Sequence, residues 1–200
     1  MQEVFDNIKN AFFETSLLEW FGVLSGVLYV VFISYKKMIA WFFALSSSLT
    51  YVYICFTYNL YLESFLQVFY VLMAIYGWLN WKKEANHSNI IKWPLKIHLI
   101  NIFASLFLTI TLGYLFQKHT DQANPYTDAF TTVFSLTATF MVTKKVLENW
   151  IYWIIIDAVS IFLFFSRELY LTSVLFFFFT LIAVWGYTKW KKSYSNQLAT

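Results

Sequence analysis

The segment LYLESFLQVFYVLMAIYGWLNWKK, from Leu60 to Lys83, returns 109 positions later as LYLTSVLFFFFTLIAVWGYTKWKK, from Leu169 to Lys192. Tyr61-Leu62-x-Ser64 is matched by Tyr170-Leu171-x-Ser173, and Gly77 through Trp81-Lys82-Lys83 by Gly186 through Trp190-Lys191-Lys192. Roughly half of these positions agree without a gap, more than a shared apolar bias produces. The register extends backwards, pairing Lys36 with Lys145 and Trp41 with Trp150. Such an offset makes the chain two copies of one unit, and each copy is apolar enough to be read as a set of membrane helices.

Composition agrees with that reading. Of 200 residues, 60% are hydrophobic and 12% charged, with a mean hydropathy of +0.58. A soluble domain of this size has no use for so much apolar surface. The net charge of +3 is not a nucleic-acid signal, because the basic residues sit in short loops between apolar runs. Cys55 is the only cysteine, so neither an intramolecular disulfide nor a thiolate metal site is expected. His87, His98 and His119 stand singly and are expected in loops or packing rather than as ligands. No cofactor is implied. The N-terminus carries Glu3, Asp6 and Glu14 and does not read as a signal peptide. Val4, Phe5, Ile8 and Phe12 predict instead a short amphipathic helix at the interface.

Seven spans are predicted: Leu17–Ser34, Met38–Phe56, Ser64–Trp81, Pro94–Phe116, Asp128–Thr143, Asn149–Ser166 and Tyr170–Thr188. Pro94 is placed in the first turn of the fourth. Between the spans lie a polar turn through Asn59 and Glu63, the loop Lys82–Lys92, and the loop Gln117–Thr127 with Asn124-Pro125. Lys36, Lys37, Lys82, Lys83, Lys92, Lys96, Lys144, Lys145, Lys189, Lys191 and Lys192 fall on one side. Lys9, Lys118 and Arg167 fall on the other, with most of the acids, Asp121 among them. The positive-inside rule then puts the N-terminus outside and the C-terminus in the cytoplasm. Three spans reverse polarity, so a fourth must intervene before the second copy enters the same way round. The expected fold is an all-α integral membrane protein, a single transmembrane domain over residues 1–200. It is a parallel 3+1+3 repeat: a first three-helix repeat over 17–83, a linker helix over 94–116 and a second repeat over 128–192. In transporters of that design the solute is held between the halves.

The copies differ where chemistry would sit. Glu148-Asn-Trp-Ile-Tyr-Trp-Ile-Ile-Ile-Asp157 opens the sixth span. Trp150, Trp153 and Asp157 fall at i, i+3 and i+7, on one helical face. Their counterparts in the first copy are Trp41, Ala44 and Ser48. Asp157 lies roughly 12 Å along the helix from Asn149, well inside an apolar layer about 30 Å thick. An acid there costs about 2.5–3.5 kcal/mol on insertion scales, so it faces protein or a cavity. Two indoles closed by an anion suit a flat, cationic solute. The bland readings are an interfacial belt residue for Trp150, lipid-facing packing for Trp153, and an interhelical hydrogen bond for Asp157. A proton-coupling role is a further reading of Asp157. Gln67, Tyr70 and Gly77 share a face of the third span, and Gln67 stands opposite Phe176, a polar residue in one half only. Asn101, Thr131, Thr132, Ser135 and Thr139 could line a path, although short hydroxyl side chains also pack well between membrane helices. Gly22, Gly26, Gly77 and Gly186 are expected to permit close helix approach. There is no Walker A loop, zincin helix or Gly-x-Ser-x-Gly elbow, so an ATP-driven pump or a hydrolase has no support, and no enzyme is expected.

Asn149-Trp150-x-x-Trp153-x-x-x-Asp157, the Gly77-to-Trp81 motif, its echo Gly186-Tyr187-x-x-Trp190 and the 3+1+3 pattern together resemble the PnuC family of bacterial vitamin transporters. The resemblance covers nearly the whole chain, from about Leu17 to Lys192. It implies a SWEET-like fold and uptake of nicotinamide riboside by facilitated diffusion through a homotrimer in the bacterial inner membrane. It also implies that a cytoplasmic kinase traps the vitamin by phosphorylation. Carried over by motif, Asn149, Trp150, Trp153 and Asp157 would line the vitamin site, with Gln67 and Tyr70 added from the reading of the third span. Thiamine, also flat and cationic, is the alternative solute. A non-transporting membrane receptor or assembly subunit is the alternative from another class.

Overall fold

The computed structural model describes residues 2–58, 61–83, 89–120 and 123–199, and every regular element in it is an α-helix. The Asn59 turn, His87 and Asp121 lie outside the described residues. The helices are α1 (Gln2–Glu14), α2 (Leu17–Ser34), α3 (Ile39–Thr57), α4 (Tyr61–Lys83), α5 (Leu95–His119), α6 (Pro125–Thr143), α7 (Asn149–Ser166) and α8 (Tyr170–Leu198). Among the described residues, α2, α3, α5, α7 and α8 are long and apolar enough to cross a membrane. α4 and α6 have 23 and 19 residues. α6 has a physical reason for its lower hydropathy: Ala129, Val133, Phe134, Ser135, Ala138, Thr139, Met141, Val142 and Thr143 are buried along it. A helix wrapped by protein presents little surface to lipid and can hold hydroxyl side chains.

Two compact units share the chain, one of residues 1–89 with 185–200 and one of residues 90–184. In the first, α3 packs between α2 and α4. Small residues set the α2–α3 approach, for a Cβ on Gly22 would lie 3.1 Å from the Tyr51 ring. The Ser47 hydroxyl donates to the Gly22 carbonyl at 2.9 Å. On α4, a Cβ at Gly77 would overlap the Trp41 indole. Trp41 in turn meets Trp81 edge to face at 5.3 Å, and Trp81 meets Trp190 at 6.3 Å. The C-terminal end of α2 is tied to α8. Trp190 Nε1–H donates to the Ile33 carbonyl at 3.3 Å, Lys36 Nζ to Ser193 Oγ at 2.7 Å, and Lys189 Nζ lies over the Tyr35 ring at 3.6 Å.

In the second unit α6 packs between α5 and α7. α5 buries only Ser105, Thr109 and Gly113, a stripe at i, i+4 and i+8 that lets α6 come close. Tyr126 sits where a Cβ on Gly113 would be. Phe103, Phe107 and Ile110 on the remaining surface are exposed, as lipid-facing side chains are. Below this, the extended segment at Ile91 pairs with the α6–α7 turn. Ile91 N–H donates to the Lys145 carbonyl at 3.1 Å and Leu147 N–H to the Ile91 carbonyl at 2.8 Å.

Local features recur at the 109-residue offset. α2 and α6 end in the same turn, with Lys36 at φ 56° and Lys145 at φ 55°. Lys37 N–H donates to the Phe32 carbonyl at 3.0 Å, and Val146 N–H to that of Met141, also at 3.0 Å. This is the left-handed Schellman ending, made here without glycine. The Ser64 hydroxyl donates to the Val52 carbonyl at 3.3 Å, and the Ser173 hydroxyl to that of Ile161 at 3.0 Å. Trp41, Ala74 and Trp81 are buried, as are Trp150, Ala183 and Trp190.

The predicted bounds of α2 and α7 coincide with the helices, and an N-terminal helix is present. Three details differ. Pro94 is the N-cap of α5 at ψ 149° rather than a first-turn residue, because its extended backbone delivers the segment paired at Ile91. The loop expected over Gln117–Thr127 is shorter, since α5 runs on to His119 and α6 begins at Pro125. α8 continues ten residues past Thr188. The lysines there mark where an apolar layer ends, but they are good helix formers and do not end the helix.

Candidate functional site

The site expected on the sixth span is built on α7. Asp157 is the ninth of the eighteen residues of that helix, at its centre, about 12 Å from either end. Its side chain is 4% exposed, and among the described residues it has no hydrogen bond or ion pair. An unpaired acid at that depth is held against its insertion cost of about 2.5–3.5 kcal/mol, so the rest of the fold, rather than α7 itself, keeps it there. Ile151, Ile155 and Phe162 point outward on the opposite side of α7.

One turn towards the N-terminus, Trp153 is half-buried and packs on the core formed by Phe134, Ala138, Met141, Val146, Tyr152 and Ile156. Trp150 is 1% exposed and Asn149 fully buried. The burial of Trp150 excludes the lipid-facing belt position weighed for it. Asn149 Nδ2–H donates to the Val146 carbonyl at 2.6 Å. Its Oδ1 is buried with no partner among the described residues. An unused buried carbonyl costs about 1–3 kcal/mol and is a place for a donor to bind. The four residues thus form one stripe on α7 that combines an acceptor, two indoles and an acid. Such a stripe can stack a planar ring, balance a positive charge and accept a hydrogen bond.

Gln67 and Tyr70 lie on α4, in the other compact unit, and both are half-buried. The Tyr70 ring centroid is 5.9 Å from that of Phe69. Phe176, the counterpart of Gln67, stacks on Phe164 at 5.1 Å. Asn101 and Thr132 are half-buried. Thr131 spends its hydroxyl on the Thr127 and Asp128 carbonyls, a local helix bond, whereas Ser135 and Thr139 are buried on α6.

Sequence reasoning did not find the cluster at the first turn of α7. His98 Nδ1 lies 3.1 Å from the Tyr152 hydroxyl, and His98 Nε2 lies 3.7 Å from Glu148 Oε2. The Trp93 amide donates to the same Glu148 oxygen at 3.3 Å. His98 has no periodic neighbour in the sequence, and its partners are about fifty residues away, so no local signal points to them. At the other end of α7 the Arg167 guanidinium pairs with Asp128 at 2.6 Å.

Fold and site together define an all-helical membrane protein with polar groups buried in its apolar helices. The chain belongs to the nicotinamide mononucleotide transporter family, whose model matches residues 16–192. Among its relatives is the nicotinamide riboside transporter PnuC of Escherichia coli K12, 28% identical over 90% of this chain and 87% of that one. The protein of the same name from Neisseria mucosa is 26% identical over 86% of this chain and 70% of that one. The crystal structure of the vitamin B3 transporter PnuC superposes with a TM-score of 0.73 over 96% of this chain and 88% of that one, at 24% identity. Its fold is the fold described above.

Proposed function

We propose that this protein carries nicotinamide riboside across the bacterial inner membrane. The observation that carries the reading is the stripe on α7: Asp157, buried at mid-helix and unpaired among the described residues, on the face that holds Trp150 and Trp153. Nicotinamide riboside has a flat pyridinium ring for the indoles, one positive charge for the carboxylate, and an amide that can donate to the unused Oδ1 of Asn149. The names of the relatives support that solute. Gln67, a polar residue in one copy only, is assigned to a hydrogen bond with an amide or a ribose hydroxyl, and Tyr70 is included because it shares that face of α4. Asn149 and Trp150 are closed to solvent in this conformation, so the solute reaches them through movement, as alternating access requires.

Seven spans, α2 to α8, form a parallel 3+1+3 repeat over 17–83, 94–116 and 128–192; the matched helix endings and hydroxyl bonds support it. The N-terminus faces outward and the C-terminus the cytoplasm, on the strength of the lysine distribution. Transport is facilitated diffusion through a homotrimer, with a cytoplasmic kinase trapping the product.

Calorimetric titration of the purified protein with nicotinamide riboside and with thiamine, side by side, tests the solute. Tight binding of nicotinamide riboside alone is expected. Binding of thiamine alone transfers the reading to that vitamin, and binding of neither removes it. Counterflow in proteoliposomes separates carrier from receptor, because a receptor binds the vitamin without exchanging it across the bilayer.

A further inference from the structure

We infer that His98 is a positioning residue for the α7 stripe, fixing the rotation of its first turn from α5; this rests on the function proposed above. His98 stands in the first turn of α5, and its ring meets Tyr152 on α7 and Glu148, the N-cap one turn before it. The carboxylate of Glu148 only accepts, so the tautomer that fits has N–H at Nε2, facing Glu148 Oε2 at 3.7 Å. Nδ1 is then the bare nitrogen and accepts from the Tyr152 hydroxyl at 3.1 Å. The Trp93 amide holds the same Glu148 oxygen at 3.3 Å, and the Trp93 ring lies against His98 at 5.9 Å and Phe140 at 6.5 Å. Among the described residues Nε2 makes no hydrogen bond; the ring's hydrogen bond is the one at Nδ1 to Tyr152, with the Glu148 carboxylate near Nε2 and the Trp93 ring against its face.

What they hold matters for the stripe. Glu148 precedes Asn149 and Trp150, and Tyr152 precedes Trp153. Consecutive helical residues are separated by about 100° of rotation, so fixing the azimuth of Glu148 and Tyr152 fixes that of their neighbours. The N-cap of α7, Glu148, makes no side-chain bond to the first turn of its own helix; its carboxylate is held instead by the Trp93 amide, beside His98. A stacking site needs its rings held within about 0.5 Å and 10–20°, and the clamp supplies that constraint from outside the stripe.

The test measures nicotinamide riboside affinity and hydrogen exchange of the Asn149–Trp153 amides in the intact, ligand-free protein. The variants are His98→Ala, His98→Asn, Tyr152→Phe and the double His98→Ala/Tyr152→Phe. Asn keeps an acceptor where Nδ1 stands, and Phe removes the hydroxyl alone. His98→Ala and Tyr152→Phe should each weaken affinity about fivefold, the worth of one net hydrogen bond. The double variant should be no worse than His98→Ala, since both remove one interaction, and His98→Asn should recover most of the loss. Exchange at Asn149–Trp153 should quicken in His98→Ala while the amides of α3 stay as they were. Multiplying losses in the double variant, no recovery with Asn, or unchanged exchange at Asn149–Trp153 would each overturn the inference. If the unaltered protein binds no nicotinamide riboside, the functional reading fails instead, and the exchange result alone decides the role of His98.

Discussion

Asp157 is the residue on which most depends, because it is costly where it stands and, among the described residues, has no hydrogen bond or ion pair to offset that cost. If it serves as the counter-charge of a cationic solute, Asp157→Asn removes the attraction and keeps the shape. Binding of nicotinamide riboside should weaken tenfold or more, about 1.4 kcal/mol, while the ligand-free protein melts no earlier. The melting temperature should even rise, since an amide is cheaper than a carboxylate in an apolar helix. Titration and thermal melting of the same preparation check both halves; unchanged affinity would return Asp157 to a packing role. Trp153 offers a complementary case. Half-buried on the core, it has a face left for a ligand, and Trp153→Ala should cost about 1–3 kcal/mol of binding through lost stacking and area. A loss of stability with no loss of affinity would make it a core residue only.

Helix elements pack where the smallest side chains are, and one such contact gives a prediction of its own. Gly77 lies under the Trp41 indole so closely that a Cβ has no room. Gly77→Ala therefore forces Trp41 and, behind it, Trp81 out of place, and should destabilise the protein by about 1–3 kcal/mol, visible as a lower melting temperature. A neutral result would mean that the indole cluster shifts without strain. Glu168 is the opposite case. It ends α7 at φ 60°, where glycine is preferred, so Glu168→Gly should stabilise by about 0.5–1 kcal/mol, and a lower melting temperature would count against the strain. These elements also mark how far the sequence could be read. Apolar period and charged flanks were enough to bound α2 and α7 to the residue, because a membrane imposes length on both. The repeat was visible because residue types such as Gly77 and Trp81, packed against Trp41, recur at one fixed offset in an otherwise apolar background. Left-handed endings at Lys36 and Lys145 were not visible, since lysine carries no signal for them. The His98 clamp was hidden for a different reason: it joins residues that only the fold brings together. On the stripe itself the residue types were legible, but their exposure was not, and it is exposure that separates Trp153 from the sealed Trp150.

At the scale of the whole molecule, the charge moved in one transport cycle separates nicotinamide riboside from its mononucleotide and tests the mechanism. Nicotinamide riboside has one positive charge; its mononucleotide adds a phosphate of about −1.5 to −2 at neutral pH and is a net anion. Asp157 returns with the empty carrier, so its own charge cancels over a cycle and only the solute's counts. A carrier that moves the bare cation and nothing else must then come to equilibrium with the membrane potential. At 100 mV, interior negative, one charge is worth about 2.3 kcal/mol, which is about fiftyfold accumulation. In proteoliposomes holding a potassium diffusion potential, nicotinamide riboside should concentrate inside by about that factor and leave when the potential is collapsed. The mononucleotide, if carried, should be driven outward by the same potential. Accumulation of nicotinamide riboside that ignores the potential would mean that a compensating ion moves with each molecule. Asp157, an acid buried in mid-helix, is then the group on which a counter-moving proton would ride, and facilitated diffusion would give way to exchange.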